Sequence, residues 1–128
     1  MRIQILIAAD ESSETRNVAD HLHRNNWQTI IVGTGAEALS ALETERPLAA
    51  LIDVRLPDTT GWDVLEHIRR DPRIRSTVVL LVYPAGTTDE DYFRGFKLGA
   101  DASIPSPFNP RDAIAFLSRM VRAEPTVG

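Results

Sequence analysis

Asp53 is the residue of this chain best placed to do chemistry. It ends an unbroken apolar run, Leu48-Ala49-Ala50-Leu51-Ile52, and Pro57 and Gly61 break the chain soon after it. An apolar run of this length reads as a strand buried on both faces. Asp53 then falls at the carboxyl end of a central parallel strand, the edge at which open α/β sheets bind ligands and react. Asp10 and Glu11 follow an earlier apolar run, Ile3 to Ala8. Two carboxylates from adjacent strands, Asp10 and Asp53, suit a hard divalent cation. Magnesium takes one or two carboxylates and completes its octahedron with water and phosphate oxygens. A carboxylate beside such a metal can also attack a phosphoryl group and become an acyl phosphate. Plainer readings stand beside these: Asp53 as the cap of the next loop, and Asp10 and Glu11 as acids favoured by a helix dipole.

The elements that must position these residues follow from the pattern of apolar runs. Strands are predicted over Ile3 to Ala8, Trp27 to Val32, the run ending at Asp53, Thr77 to Val82, and Ala102-Ser103-Ile104. Helical spacing falls between them, at Val18, Ala19 and Leu22, at Ala38, Leu39 and Leu42, at Trp62, Leu65 and Ile68, and at Phe93, Phe96 and Lys97. A last helix face runs through Ala113, Ile114, Leu117, Met120 and Val121. Thr34 with Glu37, and Thr87 with Glu90, have the spacing of capping boxes. Asn109-Pro110 supplies an N-cap and a first-turn proline. Tyr83-Pro84-Ala85-Gly86 reads as a loop. Alternating strands and helices joined by short links imply an α/β, doubly wound, parallel sheet with helices on both faces. Its loops bring Asp10 and Glu11, Asp53, Val82 or Tyr83, and Ser106-Pro107-Phe108 to one edge.

The composition excludes several function classes. The chain has 128 residues, suiting one domain, and is 43% hydrophobic and 25% charged, so a normal core is expected. Net charge is -4 and no basic stripe is present, which argues against direct nucleic-acid binding. The absence of cysteine excludes disulfides and thiolate metal sites and fits a reducing cytoplasm. No apolar run approaches the roughly 20 residues of a membrane span, and the start lacks the long apolar region of a signal peptide. Residues 123–128 have the composition of a C-terminal tail or linker.

At this point the chain resembles the receiver domains of two-component response regulators, over nearly all of its length. The resemblance rests on Ile5-Leu6-Ile7-Ala8-Ala9-Asp10-Glu11, on the Asp53, Pro57, Gly61 spacing, on Leu98-Gly99-Ala100-Asp101, and on Ser106-Pro107-Phe108. It implies a receiver domain over residues 1–122 with a flavodoxin-like, CheY-like sheet of strand order 2-1-3-4-5 and five helices. It implies that Asp53 accepts a phosphoryl group from a sensor histidine kinase or phosphotransfer protein. It implies that Asp10, Asp53 and the backbone carbonyl of Arg55 hold Mg2+, and that Pro57 and Gly61 shape the loop after the acceptor. An effector domain or output protein is the implied downstream partner, with no membrane contact. The domain is then no enzyme, beyond self-catalysed phosphotransfer and dephosphorylation.

Four positions depart from the family's pattern. Ala9 stands where a second acid is usual, so magnesium binding is expected to be weak. Val82 or Tyr83 stands where a Thr or Ser hydroxyl grips the phosphoryl group, and Val82 cannot donate a hydrogen bond. Ser106 replaces a lysine, and Ser103 replaces an aromatic switch residue. Tyr83 and Ser106 are the remaining candidates for contact with the phosphate. These departures open a second reading, a phosphorylation-independent pseudo-receiver acting as an interaction module. A third, a magnesium-dependent hydrolase, lacks a general acid or base beside Asp53. His21, His23 and His67 share no metal-ligand spacing and read as surface residues. Gly33-Thr34-Gly35 reads as a turn and helix cap, since position 38 is Ala rather than the last glycine of a phosphate loop.

Overall fold

The computed structural model describes residues 3–122. The expected tail over 123–128 and the first two residues lie outside the described residues. Strands and helices alternate along the chain: β1 (Gln4–Ala8), α1 (Ser13–Arg24), β2 (Gln28–Val32), α2 (Gly35–Glu45), β3 (Ala49–Asp53), α3 (Gly61–Arg70), β4 (Val78–Tyr83), α4 (Asp89–Lys97), β5 (Ala102–Pro105) and α5 (Pro110–Arg122). The strands form one parallel sheet in the order β2-β1-β3-β4-β5. This is the doubly wound fold that the sequence predicts. β3 lies at the centre, with Ala8 beside Ile52 on one flank and Asp53 beside Val82 on the other.

Successive side chains of a strand point to opposite faces, and this period sorts the core into two layers. Ile5, Ile7, Ala49, Leu51, Val78, Leu80 and Val82 pack against Val18 and Leu22 of α1 and Ala113 and Leu117 of α5. Leu6, Ala8, Ala50, Ile52, Val79, Leu81 and Tyr83 pack under Ala38 and Leu42 of α2 and Val64, Leu65 and Ile68 of α3. β3 is buried from Ala49 to Ile52, as its unbroken apolar run requires.

Hydroxyl caps start four of the helices. Ser12, Thr34, Thr60 and Thr88 accept from the backbone N–H groups of Thr15, Glu37, Asp63 and Asp91 at 3.1–3.2 Å. The reciprocal contact of Glu37 goes to the Gly33 N–H, at 3.2 Å. The α4 cap differs from the sequence expectation. Thr87 instead donates its hydroxyl to the Pro84 carbonyl at 2.6 Å and closes the β4–α4 loop, which leaves Thr88 to cap the helix. Tyr83 also departs from expectation, because it belongs to β4 rather than to that loop. Among the histidines, His23 and His67 are exposed and His21 is half-buried against the Asn17 carbonyl.

Gly61 begins α3 against the end of β3. A methyl group there would lie 2.7 Å from the Asp53 carbonyl oxygen and 3.0 Å from the Val54 Cα, both backbone atoms that cannot turn aside. Gly61→Ala should therefore destabilise the fold by about 1–3 kcal/mol, the usual cost of overpacking. Gly33→Ala, whose new methyl group would meet only the Glu37 carboxylate at 3.9 Å, should change stability by less than about 0.5 kcal/mol. Urea denaturation of the two variants checks the contrast.

Candidate functional site

The two-residue period decides what faces the carboxyl edge of β3. Asp53 follows Ala49 and Leu51 on the α1/α5 side of the sheet, and Ala9 and Val82 belong to that same layer. Asp53, Asp10, Arg55, Leu56, Pro57, Pro84 and Ser106 line one open cleft of about 380 Å³ at this edge. A small space beneath it, about 20 Å³, lies among Ala9, Leu51, Val82, Asp53, Glu14 and Phe108. The loop after Asp53 folds back on itself. Arg55 bridges to Thr60, the Leu56 N–H donates to the Thr59 carbonyl at 3.1 Å, and the Gly61 N–H donates to the Val54 carbonyl at 2.8 Å. This turn aims the Arg55 N–H at Asp53 Oδ1, 2.8 Å away. Among the described residues no donor reaches the other carboxylate oxygen.

Burial raises the pKa of Asp53 above its ordinary value of 3.8. The Arg55 N–H pulls it down, the charges of Asp10 and then Glu14 push it up, and the Arg55 guanidinium opposes them. The group is a partly desolvated acid among acids, with an exposed arginine as its cation.

Glu14 was not singled out by the sequence. It stands in the first turn of α1, and its carboxylate reaches the loop after β5. Oε1 accepts from the Ser106 hydroxyl at 2.8 Å and Oε2 accepts from the Phe108 N–H at 3.0 Å. Ser106 does border the cleft, but its hydroxyl proton goes to Glu14. The one signal available in sequence was topological: the first turn of α1 opens onto the same edge as Asp53, so an acid there borders the site.

Tyr83 does not face Asp53, and its expected role as a phosphate contact is corrected. One residue beyond Val82, it points to the opposite face of the sheet and is buried. Its hydroxyl accepts from Trp62 Nε1 at 3.0 Å and donates to the Asp91 carbonyl at 3.1 Å. The ring packs tilted against Tyr92, 4.4 Å between centroids and 43° between planes, and Gly95 of α4 leaves room for the hydroxyl. Arg94 lies over the Trp62 ring, 4.1 Å from its centroid. Tyr83 thus ties β4 to α3 and α4. Ser103 is exposed on the edge strand β5, paired with Leu81. Asp58, in the loop after β3, is engaged outside the cleft. Its carboxylate accepts from the Gly35 and Ala36 N–H groups at 2.8 and 3.0 Å, which caps α2 and lowers its pKa.

The donor set fits a hard divalent cation. Asp10, Asp53 and the backbone of Arg55 border one cleft, and oxygen donors with a surplus of negative charge are what Mg2+ takes. Among the described residues, no group of three or more His, Asp or Glu side chains could hold a metal by itself. Glu14 is therefore not a third member of a ready-made cage.

The raised pKa of Asp53 has a consequence for stability. Well below 3.8 the group is neutral in both folded and unfolded chains. As pH rises, the unfolded chain ionises first, so this group's contribution to stability falls until its folded pKa is passed. Asp53→Asn keeps the acceptor for the Arg55 N–H and removes the ionisation. It should raise the melting temperature at pH 7 without metal, and the gain should vanish near pH 3. Thermal melts of both chains across that range check this.

Comparison with known proteins accounts for the arrangement. The sequence pattern of the response regulator receiver domain matches residues 5–118. The DNA-binding response regulator MtrA of Mycolicibacterium paratuberculosis is 32% identical over 122 residues, covering 95% of this chain and 52% of that protein. The alkaline phosphatase synthesis transcriptional regulatory protein PhoP of Bacillus subtilis is 31% identical over 122 residues, covering 95% of this chain and 50% of that protein. The chain spans about half the length of these curated relatives. The crystal structure of a CheY-like response regulator receiver domain protein from Methanospirillum hungatei superposes with a TM-score of 0.86 at 26% identity, covering 95% of each chain. With this order of strands and an acid at the end of its central one, the chain belongs to the response regulator receiver domains, the signalling modules of two-component systems.

Proposed function

We propose that this chain accepts a phosphoryl group on Asp53 from a sensor histidine kinase or phosphotransfer protein, in the cytoplasm, and passes the signal to an output protein or attached effector domain. Residues 1–122 make up the receiver in this reading, and 123–128 are a tail or linker. The observation that carries it is Asp53 itself. It is a half-buried carboxylate at the end of the central strand, held through Oδ1 by the Arg55 N–H and without a donor on Oδ2 among the described residues. Oδ2 attacks the phosphorus of the donor. An oxygen–phosphorus bond forms, the donor's nitrogen–phosphorus bond breaks, and the released imidazole takes up a proton. Asp10, Asp53 and the Arg55 carbonyl would hold Mg2+, which when bound neutralises charge on the carboxylates and the phosphoryl oxygens. The Arg55 N–H holds the carboxylate in orientation, and Leu51 and Val82 keep its inner side dry.

The output is proposed by analogy. MtrA is a DNA-binding response regulator and PhoP a transcriptional regulatory protein, which suits an effector domain beyond this receiver. The receiver itself has no basic stripe with which to touch DNA. Among the described residues no helix is long and apolar enough to cross a membrane.

A second reading, an interaction module that signals without phosphorylation, draws support from the surroundings of Asp53. Val82 presents no donor, Tyr83 faces the other side of the sheet, and the Ser106 proton is committed to Glu14. Ser103 and Val82 also lack the groups with which the family relays occupancy toward β5. Phosphorylation in this chain would then move β5 and α5 only slightly.

Incubation with Mg2+ and acetyl phosphate separates the two readings. The native chain should gain the mass of one phosphoryl group, and Asp53→Asn should gain none. An unchanged mass of the native chain would favour the interaction module, and undiminished labelling of the variant would place the acceptor elsewhere. Magnesium should bind weakly, and Ala9→Asp should tighten it several-fold by adding a carboxylate to the cleft. Calorimetric titration of both chains measures this, and equal affinities would remove position 9 from the metal site.

A further inference from the structure

Glu14 borders the small space beside Asp53 and holds Ser106, the cleft residue to which a phosphoryl group on Asp53 would look for a donor. Its two carboxylate oxygens take the Ser106 hydroxyl at 2.8 Å and the Phe108 N–H at 3.0 Å. A serine hydroxyl has one proton to give. With its O–H directed at Glu14, Ser106 turns only lone pairs toward the rest of the cleft it shares with Asp10 and Asp53. Glu14, Phe108 and Asp53 also border the same small space beneath it. From this side, negative phosphoryl oxygens would meet a carboxylate and a lone pair.

The backbone around Glu14 is fixed. The Thr15 hydroxyl donates to the Asp10 carbonyl at 2.9 Å, and Ser12 caps the helix through the Thr15 N–H at 3.2 Å. Ser106 is held on its other side by its own N–H, which donates to the Tyr83 carbonyl at 2.7 Å. What can change is therefore the pairing of two side chains, by rotation of the Glu14 arm or of the Ser106 hydroxyl. A hydrogen bond to an ionised acceptor is roughly twice as strong as a neutral one, so without a phosphoryl group the hydroxyl stays on Glu14, and with one present two anionic acceptors compete for a single proton.

We propose that Glu14 gates phosphoryl uptake at Asp53 by holding the Ser106 proton, and that Ser106 becomes a donor to the phosphoryl group only when it turns away from Glu14. Glu14 is a positioning residue in this scheme and touches no reacting atom. The inference rests on the reading of Asp53 as the acceptor.

Beryllofluoride, which mimics a phosphoryl group on a carboxylate, is the probe. Its affinity is measured by amide shifts in saturating Mg2+ for the native chain, Glu14→Ala, Ser106→Ala and the double variant. Glu14→Ala should bind the probe about tenfold more tightly, the scale of one net hydrogen bond to a charged group. Ser106→Ala should weaken binding by a larger factor in the Glu14→Ala chain than in the native one, because only there is the hydroxyl free to donate. A merely structural role for Glu14 would give no such coupling. Glu14→Gln keeps the shape of the arm and should give a smaller gain, so the test survives misfolding of Glu14→Ala. Unaltered affinity in both Glu14 variants, or equal losses from Ser106→Ala in the two backgrounds, would overturn the gate. If the native chain takes the probe at Asp53 and Asp53→Asn does not, such a result removes the gate alone. If neither the native chain nor any Glu14 variant takes it, the acceptor reading falls with it.

Discussion

The alternation of side chains along strands buried on both faces is the constraint from which the rest follows. β3 has no solvent face on which to put a polar residue, so its one carboxylate comes at its last position, where the strand meets the cleft. The same alternation puts Ala9 and Val82 on the side of Asp53 and gives Tyr83 to the other layer. A slip of one residue in any of these strands would exchange the two layers and bury the wrong set. The register is therefore specified by the core, and the core in turn specifies which side chains share a cleft.

That geometry leaves an electrostatic problem at the edge. Asp53 is partly desolvated on the dry side by Leu51 and Val82, and both Asp10 and Glu14 act on it with like charge. Arg55 answers with a backbone N–H at 2.8 Å and a more distant guanidinium on an exposed arm. An exposed cation of this kind is screened by water and offsets little. The cleft is therefore short of positive charge, which suits a divalent cation and resists an added anion. Glu14 is held by the Ser106 hydroxyl and the Phe108 N–H, which commits the Ser106 proton away from Asp53.

Much of this was legible in the amino-acid sequence. The order of elements, the caps at Thr34 and Asn109, the break at Pro57 and Gly61 and the position of Asp53 all follow from local pattern. Contacts between distant elements did not follow. Ser106 and Glu14 are separated by 92 positions, and no periodicity within either segment announces their pairing. Tyr83 is a different case. Its parity with Leu81 and its opposition to Val82 were readable, and they exclude it from the side of Asp53. Placing it in a loop hid that parity. The α4 cap moved by one residue for a similar reason, since Thr87 and Thr88 are equivalent as sequence and only the closure of the loop onto Pro84 distinguishes them.

Asp53 is thus a partly desolvated acid in a cleft short of positive charge. Carbon-detected titration of its side-chain carboxyl, without metal and then with Mg2+, tests this most directly. The midpoint should lie above 3.8 in the metal-free chain and fall clearly on adding Mg2+. A midpoint at or below that value, unmoved by Mg2+, would contradict it.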